Sequence, residues 1–177
     1  MLVFKRSDFN DRDFFKSCFS HNDWFSRYCS SNYSEQYLDF LKYDNHFNID
    51  SFVVMHNQSK IGFVNFESVG NLKDKRYSFS GGINPNFLLQ GYGRLILRIA
   101  LQIAFEKFGA NRLEAKVLKR NDVMKNMLLK NGFRIEGELI EYEYCEVEEK
   151  FIDVFLLSLL KKDFSFNYNL NKEFTYE

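Results

Sequence analysis

The chain is predicted to form an α/β fold of the α+β kind, one mixed sheet with helices on its faces. Three observations lead there. Strand-like and helix-like segments alternate in the order β-α-α-β-β-β-α-β-α-β-β along 177 residues. Three of the strands come in quick succession, separated by polar turn residues, as in an antiparallel meander. One long helix carries only a narrow polar stripe and must lie mostly buried.

The elements follow in order. LVFKR reads as a short first strand. In DFNDRDFFKSCF an Asp leads a segment whose Phe14, Phe15, Cys18 and Phe19 fall at helical spacing. SEQYLDFLKY is a second helix, with Ser34 as N-cap and Tyr37, Leu38 and Leu41 on one face. SFVVMH is apolar and β-branched. After NQSK comes IGFVNFESV with near alternation, and after GNLKDK comes RYSFSGGIN. From Tyr92 to Phe108 runs the long helix, whose Arg94, Arg98, Gln102 and Glu106 recur every fourth residue. RLEAKVL is a strand, NDVMKNMLLKN a helix ending at Gly132, FRIEGELIEYEY a long strand and FIDVFLLSLL the last one.

Composition narrows the classes. The length suits one domain over residues 1–177, large enough to bury a core without disulfides. Net charge is zero, from 24 basic and 24 acidic residues, so no overall electrostatic footprint for nucleic acid exists. No apolar run reaches the length of a membrane span. Cys18, Cys29 and Cys145 lie far apart, which reads as reduced thiols in a cytoplasmic protein. His21, His46 and His56 have no partner at metal spacing, so no metal site is expected. The 21 Phe and 10 Tyr supply a bulky core and leave rings for a cleft.

Chemistry concentrates at PNFLLQGYGR, where Gly91 and Gly93 precede the long helix. Glycines there can be no more than a strand-to-helix turn. The N-terminus of a helix also presents amides without intrahelical partners, and glycine lets a phosphate approach them closely. A dinucleotide fingerprint needs a third glycine and a P-loop needs Gly-Lys-Ser/Thr; neither is present.

On these residues the chain resembles the GNAT superfamily of acyl-CoA-dependent N-acetyltransferases, nearly from end to end. LLQGYG resembles the family's pyrophosphate loop, with Leu88 where Gln or Arg is usual and Gly91 and Gly93 in register. Asn121 opening the next helix and Gly132-Phe133 closing it form the second signature, and Gly81-Gly82 fits a bulged fourth strand. The resemblance implies a mostly antiparallel seven-stranded sheet with helices on both faces and splayed fourth and fifth strands. It implies acetyl-CoA as co-substrate, a small amine as acceptor, no nucleic acid or membrane partner, and it admits a homodimer. Leu128 stands where many members carry a proton-donating Tyr. Leu128, GFRIEGEL and Asp153 together look like the branch with ribosomal-protein N-terminal acetyltransferases and aminosugar N-acetyltransferases. NDWFSRYCSSNYSEQYLDFL and KFIDVFLL are loosely similar to the aminosugar enzymes of pseudaminic-acid synthesis, which act on UDP-linked 4-amino sugars.

Site roles follow from the resemblance. Leu88, Leu89, Gln90, Gly91, Tyr92, Gly93 and Arg94 would hold the cofactor's phosphates, with Ile83 and Asn121 beside the pantetheine arm. Asn121 is equally a helix N-cap. Lys130 would reach a phosphate, or is an ordinary exposed helix lysine. A backbone N–H near Ile83 would meet the oxyanion. Glu67 is the candidate base, against a solvated strand-end carboxylate. Trp24, Phe25, Arg27 and Tyr28 would bind the acceptor, or pack in the core. Tyr142, like Tyr144, would line the acceptor cleft, or pack on its strand. The expected function is acetyl transfer to a nucleotide-linked aminosugar by direct attack on the thioester. A protein N-terminal amine as acceptor, or a non-catalytic acyl-CoA-binding module, stands as the alternative.

Overall fold

The computed structural model describes residues 1–19, 49–145, 148–165 and 174–176. The helix expected over residues 34–43 lies outside them. Strands β1 (Leu2–Arg6), β2 (Ile49–His56), β3 (Ser59–Ser68) and β4 (Arg76–Ile83) form the antiparallel meander, with helix α1 (Arg12–Phe19) after β1. Helix α2 (Tyr92–Gln102), β5 (Arg112–Leu118), helix α3 (Asp122–Lys130), β6 (Arg134–Cys145) and β7 (Lys150–Leu160) follow. The described strands make one eight-stranded sheet, not seven, because β8 (Phe174–Tyr176) adds itself in parallel to β1. The order is β6-β7-β5-β4-β3-β2-β1-β8. FTY near the end of the chain is β-prone but only three residues long, too short for pattern to reveal.

Local chemistry explains the turns. Between β2 and β3, Asn57 and Gln58 both take positive φ, 48° and 67°, the handedness that a two-residue hairpin needs. Asp8 opens the turn before α1 as a capping box, its carboxylate accepting from the Asn10 N–H at 2.7 Å.

The alternation of the strands sends one set of side chains to each helix layer. Phe52, Val54, Val64 and Phe66 meet α2 through Ile96, Ile99 and Ala100, while α3 adds the fully buried Leu128. Val53 and Phe63 meet α1 through Phe14, Phe15 and Cys18, with the Phe15 and Phe63 rings 4.9 Å apart. Each such large side chain contributes about 1.5–3 kcal/mol on burial. Helices therefore cover both faces.

The helix expected to run from Tyr92 to Phe108 is regular only to Gln102. Ile103–Lys107 form a π turn, closed by the Phe108 N–H donating to the Ile103 carbonyl at 3.1 Å. This widened turn sets Phe108 against Phe66, Tyr77 and Phe52, at ring distances of 5.2, 5.7 and 6.3 Å. The polar stripe is narrower than its periodicity implies. Gln102 is buried, and its Nε2 donates to Glu106 at 2.9 Å.

The bulge expected at Gly81-Gly82 is absent, since β3 and β4 keep one register from Gly62–Ile83 to Ser68–Tyr77. The irregularity lies instead in β2, between Val54 and Met55. Gly82 has a different reason to be glycine. A Cβ there would stand 2.6 Å from the Phe63 ring, whose side chain crosses over it.

Candidate active site

Strands β4 and β5 run parallel but pair only at Arg76–Arg112, Tyr77–Leu113 and Ser78–Glu114, and beyond Ser78 they diverge. The antiparallel ladder on the other side of β4 fixes which groups face the gap. The Asn84 N–H donates to the Ile61 carbonyl at 2.9 Å, so the alternation turns Gly82 and Ser80 toward β3 as well. Gly81 and Ile83 then aim their N–H and C=O groups into the gap. A buried-edge backbone of this kind invites an extended ligand to complete the sheet.

The gap opens toward the N-terminus of α2. After β4 the Asn84 side chain accepts from the Asn86 N–H at 3.0 Å and starts a short 3₁₀ turn through Phe87. Leu89 and Gly91 both take positive φ, 60° and 86°, and wind the backbone into a concave loop. Gly91 is the N-cap of α2 and makes no side-chain cap bond. The first-turn amides that follow, at Tyr92 and Gly93, have no intrahelical acceptor. A Cβ on Gly93 would meet only Ile83 Cγ1, at 3.8 Å. The space beside these amides is thus empty for want of that one carbon. It fits a phosphate group, whose charge the helix end favours.

Between loop and gap lies a cleft of about 300 Å³. Its walls are β4 from Phe79 to Ile83, the α2 stripe Gly93, Ile96, Leu97 and Ala100, and Asn121, Met124 and Met127 of the α3 turn. Cys18, Phe19 and Phe63 close it from the other face of the sheet. Among the described residues no charged side chain lines it. Burial pushes the Cys18 thiol up to about 12, against a smaller opposing effect of Ser17, so it stays a thiol at neutral pH.

The expected site residues divide. Ile83, Leu88, Leu89, Gly93 and Asn121 line the cleft, and Gln90, Gly91, Tyr92 and Arg94 belong to the same loop and first helical turn. The Gln90 side chain turns back to the Asn86 carbonyl at 3.1 Å, leaving recognition to backbone. Tyr92 is held by its hydroxyl at 3.0 Å from His56 Nδ1, and its ring packs on Phe87. Asn121 is the N-cap, its Oδ1 accepting from the Met124 N–H at 3.0 Å; its Nδ2 makes no hydrogen bond among the described residues.

The others stand apart. Lys130 ends α3, about 13 Å from Asn121 by helical rise, and is exposed. Glu67 is exposed near the end of β3 and outside the cleft lining. Tyr142 lies on the edge strand β6, where its hydroxyl accepts from Lys116 Nζ at 2.7 Å, and Tyr144 packs on Phe151. Neither reaches the cleft. Leu128 is fully buried in the core. Asp153 accepts from the Glu141 N–H at 3.0 Å and from Lys119 Nζ at 3.2 Å, pinning a bulge in β6; both hold its carboxyl below the ordinary range. Trp24, Phe25, Arg27 and Tyr28 lie outside the described residues. Sequence reading overlooked Ser80, Phe87, Met124 and Met127. The spacing of Asn121, Met124 and Met127 would have marked that helix face.

Among the described residues no helix is long and apolar enough to cross a membrane, and no three potential ligands gather as a metal site. The chain matches known proteins at two levels. Over 130 residues it is 25% identical to N-acetyltransferase p20 of Bacillus licheniformis, covering 73% of this chain and 71% of that protein. Its fold matches Vibrio cholerae spermidine N-acetyltransferase in complex with CoA and spermine, with TM-score 0.78 at 21% identity over 92% of this chain and 96% of the other. A chimera of that enzyme with hSSAT gives 0.78 at 20% identity, covering 91% and 96%. At such identities the likeness is one of fold. The family itself is set by sequence: residues 2–134 match the acetyltransferase (GNAT) domain, loop, gap and α3 turn included, and the chain belongs to that family.

Proposed function

We propose that this acetyl-CoA-dependent N-acetyltransferase acts on a nucleotide-linked aminosugar of the UDP-4-amino-4,6-dideoxy type. The observation that supports the acceptor is that, among the described residues, no charged side chain lines the cleft. A polyamine carries charge along its length, and drawing it in without carboxylates costs several kcal/mol of desolvation. An aminosugar presents a single amine on a neutral ring. Its uracil and diphosphate suit the aromatic and basic Trp24, Phe25, Arg27 and Tyr28.

The residues divide the work. The amides at Tyr92 and Gly93 hold the pyrophosphate, with Arg94 adding charge at the helix end. The edge of β4 at Gly81 and Ile83 and the free Nδ2 of Asn121 hold the pantetheine arm. Acetyl-CoA supplies an acyl group activated as a thioester. The fixed N–H of Gly81 or Ile83 meets the negative charge that develops on the attacked carbonyl oxygen, without reorganisation. Glu67, on the same strand as Phe63 but outside the cleft lining, would take the amine's proton only through intervening water. Cys18, kept protonated, is no nucleophile, so the amine attacks directly. Alignment of two bound substrates contributes most.

The test is thiol release from acetyl-CoA with the UDP-aminosugar, an N-terminal peptide and spermidine at equal concentration. The sugar is expected to react fastest. Preference for peptide or spermidine overturns the acceptor, and silence with every amine alongside cofactor binding moves the chain to the non-catalytic module.

A further inference from the structure

Gly82 marks a change in the wall of the cleft. Register sets Phe63 of β3 directly opposite Gly82 of β4. The Phe63 ring crosses over Gly82 so closely that a Cβ there would stand 2.6 Å from its Cε1 and 2.9 Å from its Cζ. Phe15 and Phe19 of α1 pack against that ring, at centroid distances of 4.9 and 5.3 Å, and Phe63 is only 2% exposed. Cys18, Phe19 and Phe63 all line the cleft, so this aromatic roof is one of its walls. Ser80 and Gly81, the residues before Gly82 on β4, line it too but are exposed. Among the described residues, rings therefore close the α1 side of the cleft at Gly82 and leave it open at Ser80 and Gly81.

We propose that Phe63 sets the length of the acyl chain that the enzyme transfers: its ring over Gly82 leaves space for the methyl of an acetyl group and blocks longer chains. The inference rests on the placement of the thioester against Gly81 and Ile83 given above, and is independent of the acceptor. Gly82 lies between those two residues, so the roof stands beside whichever N–H receives the carbonyl oxygen. With that oxygen about 2.9 Å from the nitrogen, the next carbon of the acyl chain lies within about 5 Å of the same nitrogen. On the roofed side this carbon meets ring carbons and gains by leaving water. The open side must stay clear, because the amine attacks from there. A butyryl chain would have to push the ring into Phe15 and Phe19, and a close-packed core yields little to extra methylenes.

Calorimetry with CoA, acetyl-CoA and butyryl-CoA measures this without any acceptor. Wild type is expected to bind acetyl-CoA about tenfold or more tightly than butyryl-CoA, the scale of methylenes that a pocket cannot house. In Phe63→Ala the ratio should fall to one or below, with the affinity for CoA itself unchanged. Phe63→Leu keeps an apolar side chain on β3 and removes most of the ring. It should shift the ratio the same way, and serves as the second variant should the cavity left by alanine prevent folding. A side chain that only packs the core would change Tm and leave the ratio alone. With an acceptor that reacts, thiol release should show the same preference in kcat/KM. A wild-type ratio near one, or an unchanged ratio in a folded variant, overturns the inference. Folded Gly93→Glu that binds CoA as wild type does overturns the placement of the cofactor, and the inference with it. Loss of CoA binding in Gly93→Glu together with a flat wild-type ratio overturns the role of Phe63 alone.

Discussion

Gly93 offers a test in which stability and binding move in opposite directions. Its φ is ordinary, it lies in the first turn of α2, and a Cβ would find open space. Gly93→Ala should therefore stabilise the free protein by up to about 1 kcal/mol through helix propensity, raising Tm by about 2–4 °C for a chain of this size. The same methyl stands where a phosphate must approach the amides. Charge-assisted hydrogen bonds are worth about 1.5–3 kcal/mol each, so losing one weakens CoA binding about tenfold or more. Gly93→Glu adds a carboxylate that the helix end tolerates but an anion does not, and should cost at least about a hundredfold. Gly91 supplies the contrast. With φ at 86°, Gly91→Ala strains the backbone by about 1–2 kcal/mol and should lower Tm. Thermal melts and calorimetry with CoA read both quantities. Folded Gly93→Glu that binds CoA as wild type does would refute the cradle.

Three further outcomes are expected. Asn121→Ala should lose about 1 kcal/mol with the cap and raise the KM for acetyl-CoA, while Asn121→Asp keeps the cap and raises only the KM; equal melts for the two would separate Asn121 from capping. Tyr142→Phe should keep kcat within about twofold, because the hydroxyl meets Lys116 on the sheet edge; a loss near a hundredfold would make it the proton donor. Arg112, helped by the Ser158 hydroxyl, holds the Glu136 carboxyl down at about 2 from 4.5, so this stabilisation is present above about 4.5 and fades as pH falls toward 2. Glu136→Gln should flatten the dependence of Tm on pH over that window.

What the sequence made legible follows from what periodicity can carry. The meander, the long helix and the α3 segment each have a pattern several residues long, and all appear where expected. The loop was legible because Gly91 and Gly93 answer backbone needs, a positive φ and an open approach, that no other residue meets as well. The π turn left no mark, since Ile103, Ala104 and Phe105 suit an α-helix equally and only the packing of Phe108 selects the wider turn. Side-chain roles were least legible. Tyr142 sits on the edge strand, and Glu67 on the α1 face near a strand end, because register decides direction and a single residue of slip reverses it.

Leu128 bears on the mechanism itself. Fully buried in the core, it cannot be replaced functionally by a neighbour on its own helix face, where Met124 and Met127 carry no proton. Among the described residues no titratable side chain lines the cleft except Cys18, whose thiol is held near 12. The expectation is that the leaving group departs as a thiolate. An ordinary thiol has a pKa of about 8.5, so a thiolate is a tolerable leaving group near neutral pH, and forgoing an acid costs less here than with an alkoxide. What must still be removed is a proton from the amine. The profile of kcat/KM against pH should accordingly rise to a plateau as base and amine lose their protons, with no descending limb up to about pH 9.5. An enzyme relying on a protonated acid of ordinary tyrosine type would turn down toward pH 10. A descending limb in protein shown by circular dichroism to remain folded would reveal a donor and end the case for departure without one.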